Sequence, residues 1–217
     1  MEKTVFENLK KTKYEDVELS KFASWAIWDK DIENTEFIEK SLDKLNGNIV
    51  FVALNFGGKK PDDWKDWQNF HCKGRGDRIL NNFLSKTEFK GAYMTDLIKD
   101  LHNSNGKQAE KIFENNETKR NKDIDFLFQE IEMLKTNNIE MYLFGEGVET
   151  LFKEYVIGHE GFEAFKQKII KCQRIHHYVQ RFQNFEKIAS VQLNLTEPKN
   201  QIEKSWKYPP LWNNEQK

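Results

Sequence analysis

Asn55, Asp96, His176 and His177 each stand just past a run of apolar residues, and together they offer an amide, an acid and imidazoles. A carboxamide orients a water but is no strong base. A carboxylate accepts hydrogen bonds from an amine, and an imidazole can donate to an oxygen that gains negative charge. Gly57 and Gly58 follow Asn55 and clear space beside it, while Phe70 offers a face for stacking on a planar ring. Asp62 or Asp63 could supply the carboxylate that activates water in place of Asn55. Plainer readings stand beside these. Asn55 can be a turn residue bonding its own backbone, Asp96 a helix N-cap, and the paired histidines surface imidazoles. The aromatics of DWKDWQNF (63–70) can simply be packing. Lys59, Lys60, Lys73, Arg75 and Arg78 on one side, with Arg174 and Arg181 on the other, could meet phosphates or form a solvated surface.

The runs that position these groups read as strands. IVFVAL within 48–54, GAYMTD (91–96), IEMYLFG (139–145) and QKIIKCQRI (167–175) are apolar enough to be covered on both faces. Helices are expected over 34–45, 79–84, 124–138 and 148–156, with an amphipathic helix starting within 12–30. The polar stretch 102–123 reads as a surface excursion or a poorly ordered loop. SWKYPPLW (205–212) is expected to pack back on the domain, or else to serve as a wedge into a duplex. Strands alternating with helices imply a parallel sheet in a three-layer α/β/α sandwich, with ligands beyond the carboxyl ends of its strands. No repeat or linker divides the chain, so residues 1–217 are read as a single domain.

The chain has 217 residues, a formal net charge of −1, 17 Phe and 6 Trp, which suits a soluble globular domain with an aromatic-rich core. No apolar stretch approaches the ~18–20 residues of a membrane span. Two cysteines, Cys72 and Cys172, give no disulfide framework and cannot make an all-cysteine metal site. A cytoplasmic protein without metal or cofactor is expected. The near-neutral charge argues against wholesale wrapping of nucleic acid but allows one local groove. A Walker-A loop and a G-x-G-x-x-G are both lacking, and the GEG at 145–147 is too weak a phosphate signal to use.

Over residues 47–185 the chain resembles the uracil-DNA glycosylase superfamily. Ala53-Leu54-Asn55-Phe56-Gly57 is similar to that family's G-I-N-P-G motif, Gly76-Asp77-Arg78 to part of its G-N-R-F-W, and His177-Tyr178-Val179 stands where it carries His-Pro-Ser. Phe56 and Val179 depart from those patterns. The resemblance implies a central four-stranded parallel sheet and a monomeric enzyme that flips a nucleotide from DNA and hydrolyses its glycosidic bond. It places Asn55 and His177 as catalytic, Gly57, Gly58, Phe70, Asp96 and His176 around the base, and Lys59, Arg75, Arg78 and Arg181 on DNA phosphates.

Two positions bear on which base. Gly57 stands where the uracil-specific form of the motif has a Tyr that blocks C5 substituents. Asp96 stands where an Asn reads uracil, and a carboxylate suits the amine of cytosine. A C5-modified cytosine follows, such as the glucosylated hydroxymethylcytosine of phage DNA, attacked in antiviral defence. The alternatives are a uracil or mismatch-thymine glycosylase of DNA repair, and a catalytically inactive relative that binds DNA.

Overall fold

In a computed structural model, which describes residues 1–58, 63–178, 185–199, 204 and 207–213, the apolar runs form one mixed sheet flanked by helices. Helix α1 (Lys3–Lys11) leads to a hairpin of β1 (Lys13–Tyr14) and β2 (Val17–Glu18), and then to β3 (Ala23–Trp25). A short turn of helix, α2 (Glu36–Glu39), precedes β4 (Asn46–Ala53), α3 (Arg75–Leu84) and β5 (Ala92–Asp96). Helices α4 (Gly106–Asn115) and α5 (Glu117–Met133) lead to β6 (Ile139–Phe144). From there α6 (Glu146–Leu151) runs into a π-helical turn, Phe152–Val156. Helix α7 (Phe162–Lys168), β7 (Ile169–Ile175), α8 (Phe185–Gln192) and β8 (Trp212–Asn213) complete the chain.

The sheet has six strands in the order β3-β5-β4-β6-β7-β8. The pairings β5–β4, β4–β6 and β6–β7 are parallel, whereas β3 and β8 run antiparallel at the two edges. The expected four-stranded, wholly parallel sheet is therefore corrected to a larger mixed one. Alternation along β4 sends Val50 and Val52 to one core and Phe51 and Ala53 to the other. The first core is closed by α1, α4 and α5, including Phe113, Ile124, Leu127 and Ile131. The second is closed by α3 and α8, including Leu80, Phe83, Leu84 and Phe185. The chain leaves β4 for β5 on one side and then returns past β4 to β6. This reversal opens a crevice at the carboxyl ends of β4 and β6.

Several sequence expectations need correction. The 12–30 segment holds no α-helix, only the hairpin, a 3-10 turn (Leu19–Lys21) and β3: Ala23 to Ile27 are almost wholly buried, and unbroken burial suits a strand covered on both faces rather than one helical face. The 34–45 helix reduces to α2 and a 3-10 turn. The polar 102–123 stretch is helical, because Asn105 and Asn116 cap α4 and α5 by accepting from the backbone N–H of Gln108 and Lys119. The C-terminal stretch does pack back: β8 pairs with β7, and Trp212 donates from Nε1 to the Ile169 carbonyl at 3.1 Å. Among the described residues no helix is long and apolar enough to cross a membrane, and no group of three or more His, Cys, Asp or Glu is arranged to hold a metal.

Candidate functional site

Past the end of β4, Asn55 is pinned by its own amide. Nδ2 donates to the carbonyls of Phe56 (3.0 Å), Leu101 (3.1 Å) and Asn103 (2.9 Å). Three carbonyls around one terminal atom fix which end is nitrogen, since an oxygen there would meet three acceptors. Oδ1 therefore points the other way and accepts no hydrogen bond among the described residues. The same grip ties β4 to the loop that carries His102 and Asn103, reinforced by the Asn103 N–H donating to the Phe56 carbonyl.

A cavity of about 450 Å³ opens there, of the size usual for small-molecule sites. Asn55, Gly57, Gly58, Phe70, Asp96 and His177 all line it, so most of the sequence-predicted base site comes together. A Cβ on Gly57 would meet nothing within 4 Å, which leaves that wall open, whereas one on Gly58 would press on the Phe56 ring at 3.0 Å. Phe70 is buried and its backbone is left-handed (φ 63°), a costly conformation for an aromatic residue, with its carbonyl accepting from Trp28 Nε1 at 3.2 Å.

Asp96 ends β5 and is 4 % exposed. Asn69 donates to its Oδ2 at 2.8 Å, while Oδ1 is buried with no partner among the described residues. Burial pushes its carboxyl up to about 7, against the pull of Asn69 and Lys99, with Glu130 and Asp77 adding to the rise. It is thus no N-cap: α4 starts ten residues later with Asn105 as its cap. His177, half-buried, stacks on Tyr178 with ring centres 4.8 Å apart, and burial, with His176 beside it, holds its imidazole down to about 4. The ring is neutral at ordinary pH and so carries one N–H. Gly145 makes room for it. At φ 89° a glycine is needed, and a Cβ would sit 3.0 Å from that of His177.

The sequence reading missed three lining residues. Asn69 lay among aromatics read as packing, Tyr178 was noted only by its place, and Asp77 appeared only inside a motif. Asp77 accepts the Cys72 backbone N–H at 2.8 Å, and burial pushes its carboxyl up to about 6. It is a carboxylate on the cavity wall, whereas the sequence points to Asp62 or Asp63 for one. Asp63 is exposed and off the cavity, and Asp62 lies outside the described residues. His176 is also corrected: it is absent from the lining, and its backbone N–H donates to Gln192 Oε1 at 2.7 Å.

Of the expected phosphate contacts, Arg75 and Arg78 are exposed on the first turn of α3, beside the lining residues Gly74, Gly76 and Asp77. Lys73 is held by Glu33 at 2.6 Å, and Arg174 by Glu149 at 2.8 Å and the Tyr208 ring, so neither is a ready cation. Lys59, Lys60, Val179 and Arg181 lie outside the described residues. A second cavity of about 850 Å³ shares Leu54, Ser104, Gly106 and His177 with the first and carries Glu110, Glu114 and Glu146. The Glu110 carboxylate crowds Gly147, where a Cβ would come within 2.1 Å of it, so the GEG turn offers a phosphate no welcome.

No family model matches the chain, and neither a curated protein nor a solved structure is significantly similar to it.

Proposed function

We propose that this chain is a DNA N-glycosylase that takes a flipped pyrimidine, a C5-substituted cytosine, into the 450 Å³ cavity and hydrolyses its bond to deoxyribose. One observation carries the reading: Asn55, Asp96 and His177 line the same cavity, with the Asn55 amide turned so that its oxygen is left for water. In the reaction the N1–C1′ bond breaks, C1′ gains positive character and the base leaves with its electron pair. Asn55 Oδ1 orients the attacking water, and the new O–C1′ bond forms as that water gives up a proton. Asp77, ionised above about pH 6, is placed to receive it. The neutral His177 ring donates to O2 of the leaving base, a role worth about 2.7–4 kcal/mol where such a donor has been removed.

Asp96 Oδ1 is the acceptor for the cytosine amine. The open wall at Gly57 leaves C5 unblocked, and the adjoining 850 Å³ chamber has room for a substituent with hydroxyl groups to offer its glutamates. Arg75 and Arg78 meet the flanking phosphates, and the chain acts on DNA as a monomer. The test is a set of duplexes carrying uracil, thymine opposite guanine, hydroxymethylcytosine and glucosylated hydroxymethylcytosine, treated with alkali after incubation. Strand cleavage at the modified cytosines is expected. Cleavage at uracil or thymine alone would move the assignment to base repair, and salt-sensitive binding with no cleavage on any duplex would leave an inactive DNA-binding relative.

A further inference from the structure

Asp96 reaches the cavity with one oxygen spoken for and one not. Asn69 donates to Oδ2, so when the carboxyl is protonated the hydrogen belongs on Oδ1, the oxygen with no partner. Asp96 stands on the cavity's lining, so a bare carboxylate there offers an acceptor to a bound base and the acid offers a donor. These are opposite demands on a pyrimidine edge: cytosine offers its N4 amine, uracil and thymine their O4 carbonyl.

The surroundings keep the two states close. Asn69, from the 63–72 loop, and the Lys99 ammonium favour the charged form. Glu130 from α5 and Asp77 from the first turn of α3 oppose it. Tyr178, whose phenol feels both Asp77 and Asp96, closes the same wall of the cavity as His177.

We infer that Asp96 is a specificity-determining residue whose Oδ1 selects an amine-bearing base when bare and a carbonyl-bearing base when it holds a proton, with Asp77 setting the balance between the two. The inference rests on the glycosylase reading. It extends that reading from one substrate to a choice that the solution controls. It also separates the two carboxyls by role: Asp77 near the water, Asp96 at the base edge.

The experiment is single-turnover excision of hydroxymethylcytosine and of uracil, each in the same duplex, from about pH 6 to about pH 8. Effects of pH on the chemical step common to both bases cancel in the ratio of the two rates. That ratio should rise about 100-fold across the two units, because the ionised-to-protonated ratio of a single group changes tenfold per unit. Asp96→Asn should favour uracil at every pH, since its amide oxygen takes the Asn69 bond and its NH2 faces the cavity. Asp77→Asn should move the crossover to lower pH. A ratio that does not change with pH in the unaltered protein, with excision present, overturns the inference and leaves the glycosylase reading standing. If no base is excised, the glycosylase reading falls, and titrations of deoxycytidine and deoxyuridine followed by NMR decide instead. Preference for deoxycytidine that grows with pH and vanishes in Asp96→Asn supports the role of Oδ1, and equal or absent binding of both overturns it.

Discussion

Thr95 and Asp96 are neighbours on β5, but their side chains leave on opposite faces of the sheet and into opposite chemistry. On the Thr95 face the buried charges meet opposite charges, although Asp123 Oδ2 and the Tyr93 hydroxyl accept or donate no hydrogen bond among the described residues. Lys99, fully buried, pairs with the fully buried Glu130 at 2.8 Å and donates to Thr95 Oγ1 at 2.8 Å and to the Asp96 carbonyl. Thr95 in turn donates to Glu130 Oε2 at 2.9 Å. Lys119 extends the network, donating to the Lys99 carbonyl and to Asp123, which also accepts from Tyr14 at 2.6 Å. On the Asp96 face an equally buried acid has one amide for company. Buried charge that meets its opposite holds elements together, whereas a buried acid with no cation against it is costly and persists where a ligand can complete it.

The largest break in this comparison is expected from Lys99→Met. It leaves Glu130 in the core without its counter-charge, with only Thr95 donating to it, and should cost about 3–5 kcal/mol, read as a fall in the urea midpoint. Lys99→Met with Glu130→Leu should recover much of that loss, as replacing both partners of a buried pair commonly does.

On the other face, His177→Ala should lower single-turnover excision by about 10²–10³-fold with little change in unfolding temperature. A matching fall in stability instead would assign the imidazole to packing.

A smaller effect concerns pH. The Asp96 carboxyl is raised to about 7 in the fold from an ordinary value of 3.8, so the folded chain holds its proton more tightly than the unfolded one. Its contribution is therefore full below about pH 4 and is lost as pH rises to about 7. His71 and His177, both held down to about 4, act oppositely and lose stability as pH falls below about 6.5. Asp96→Asn should thus gain on the unaltered protein as pH climbs from about 5 to about 8, measured by thermal melts. A constant difference between the two would show that burial does not act on Asp96 as described. The least effect is expected from Arg78→Gln, which should reduce the slope of log affinity for DNA against log salt by about 1 without changing which base is cut.

The inner strands were legible because burial on both faces leaves continuous apolar runs, as in IVFVAL and IEMYLF. The edge strands were not, since two or three residues carry no period and take their pairing from neighbours. Helices α4 and the front of α5 hid behind their solvent faces: α4 buries only Ala109 and Phe113. Asn55, Asp96 and His177 could be picked out because strand ends locate the rim. Asp77 and Asn69 could not, because their burial depends on how α3 and the 63–72 loop fold over the rim. Nor does anything in the order of residues couple Lys99 to Glu130 on α5, where a lysine and a glutamate read as surface.

The sheet's two borders have a consequence for how the chain behaves among its own copies. Ala23–Trp25 and Trp212–Asn213 run counter to the strands they cover and are three and two residues long, so each border strand itself offers an extended segment from outside little ladder to join. The short C-terminal cover is also a guard where it lies: removing it would uncover Lys171 and Cys172 of β7 and invite edge-to-edge pairing of one molecule with the next.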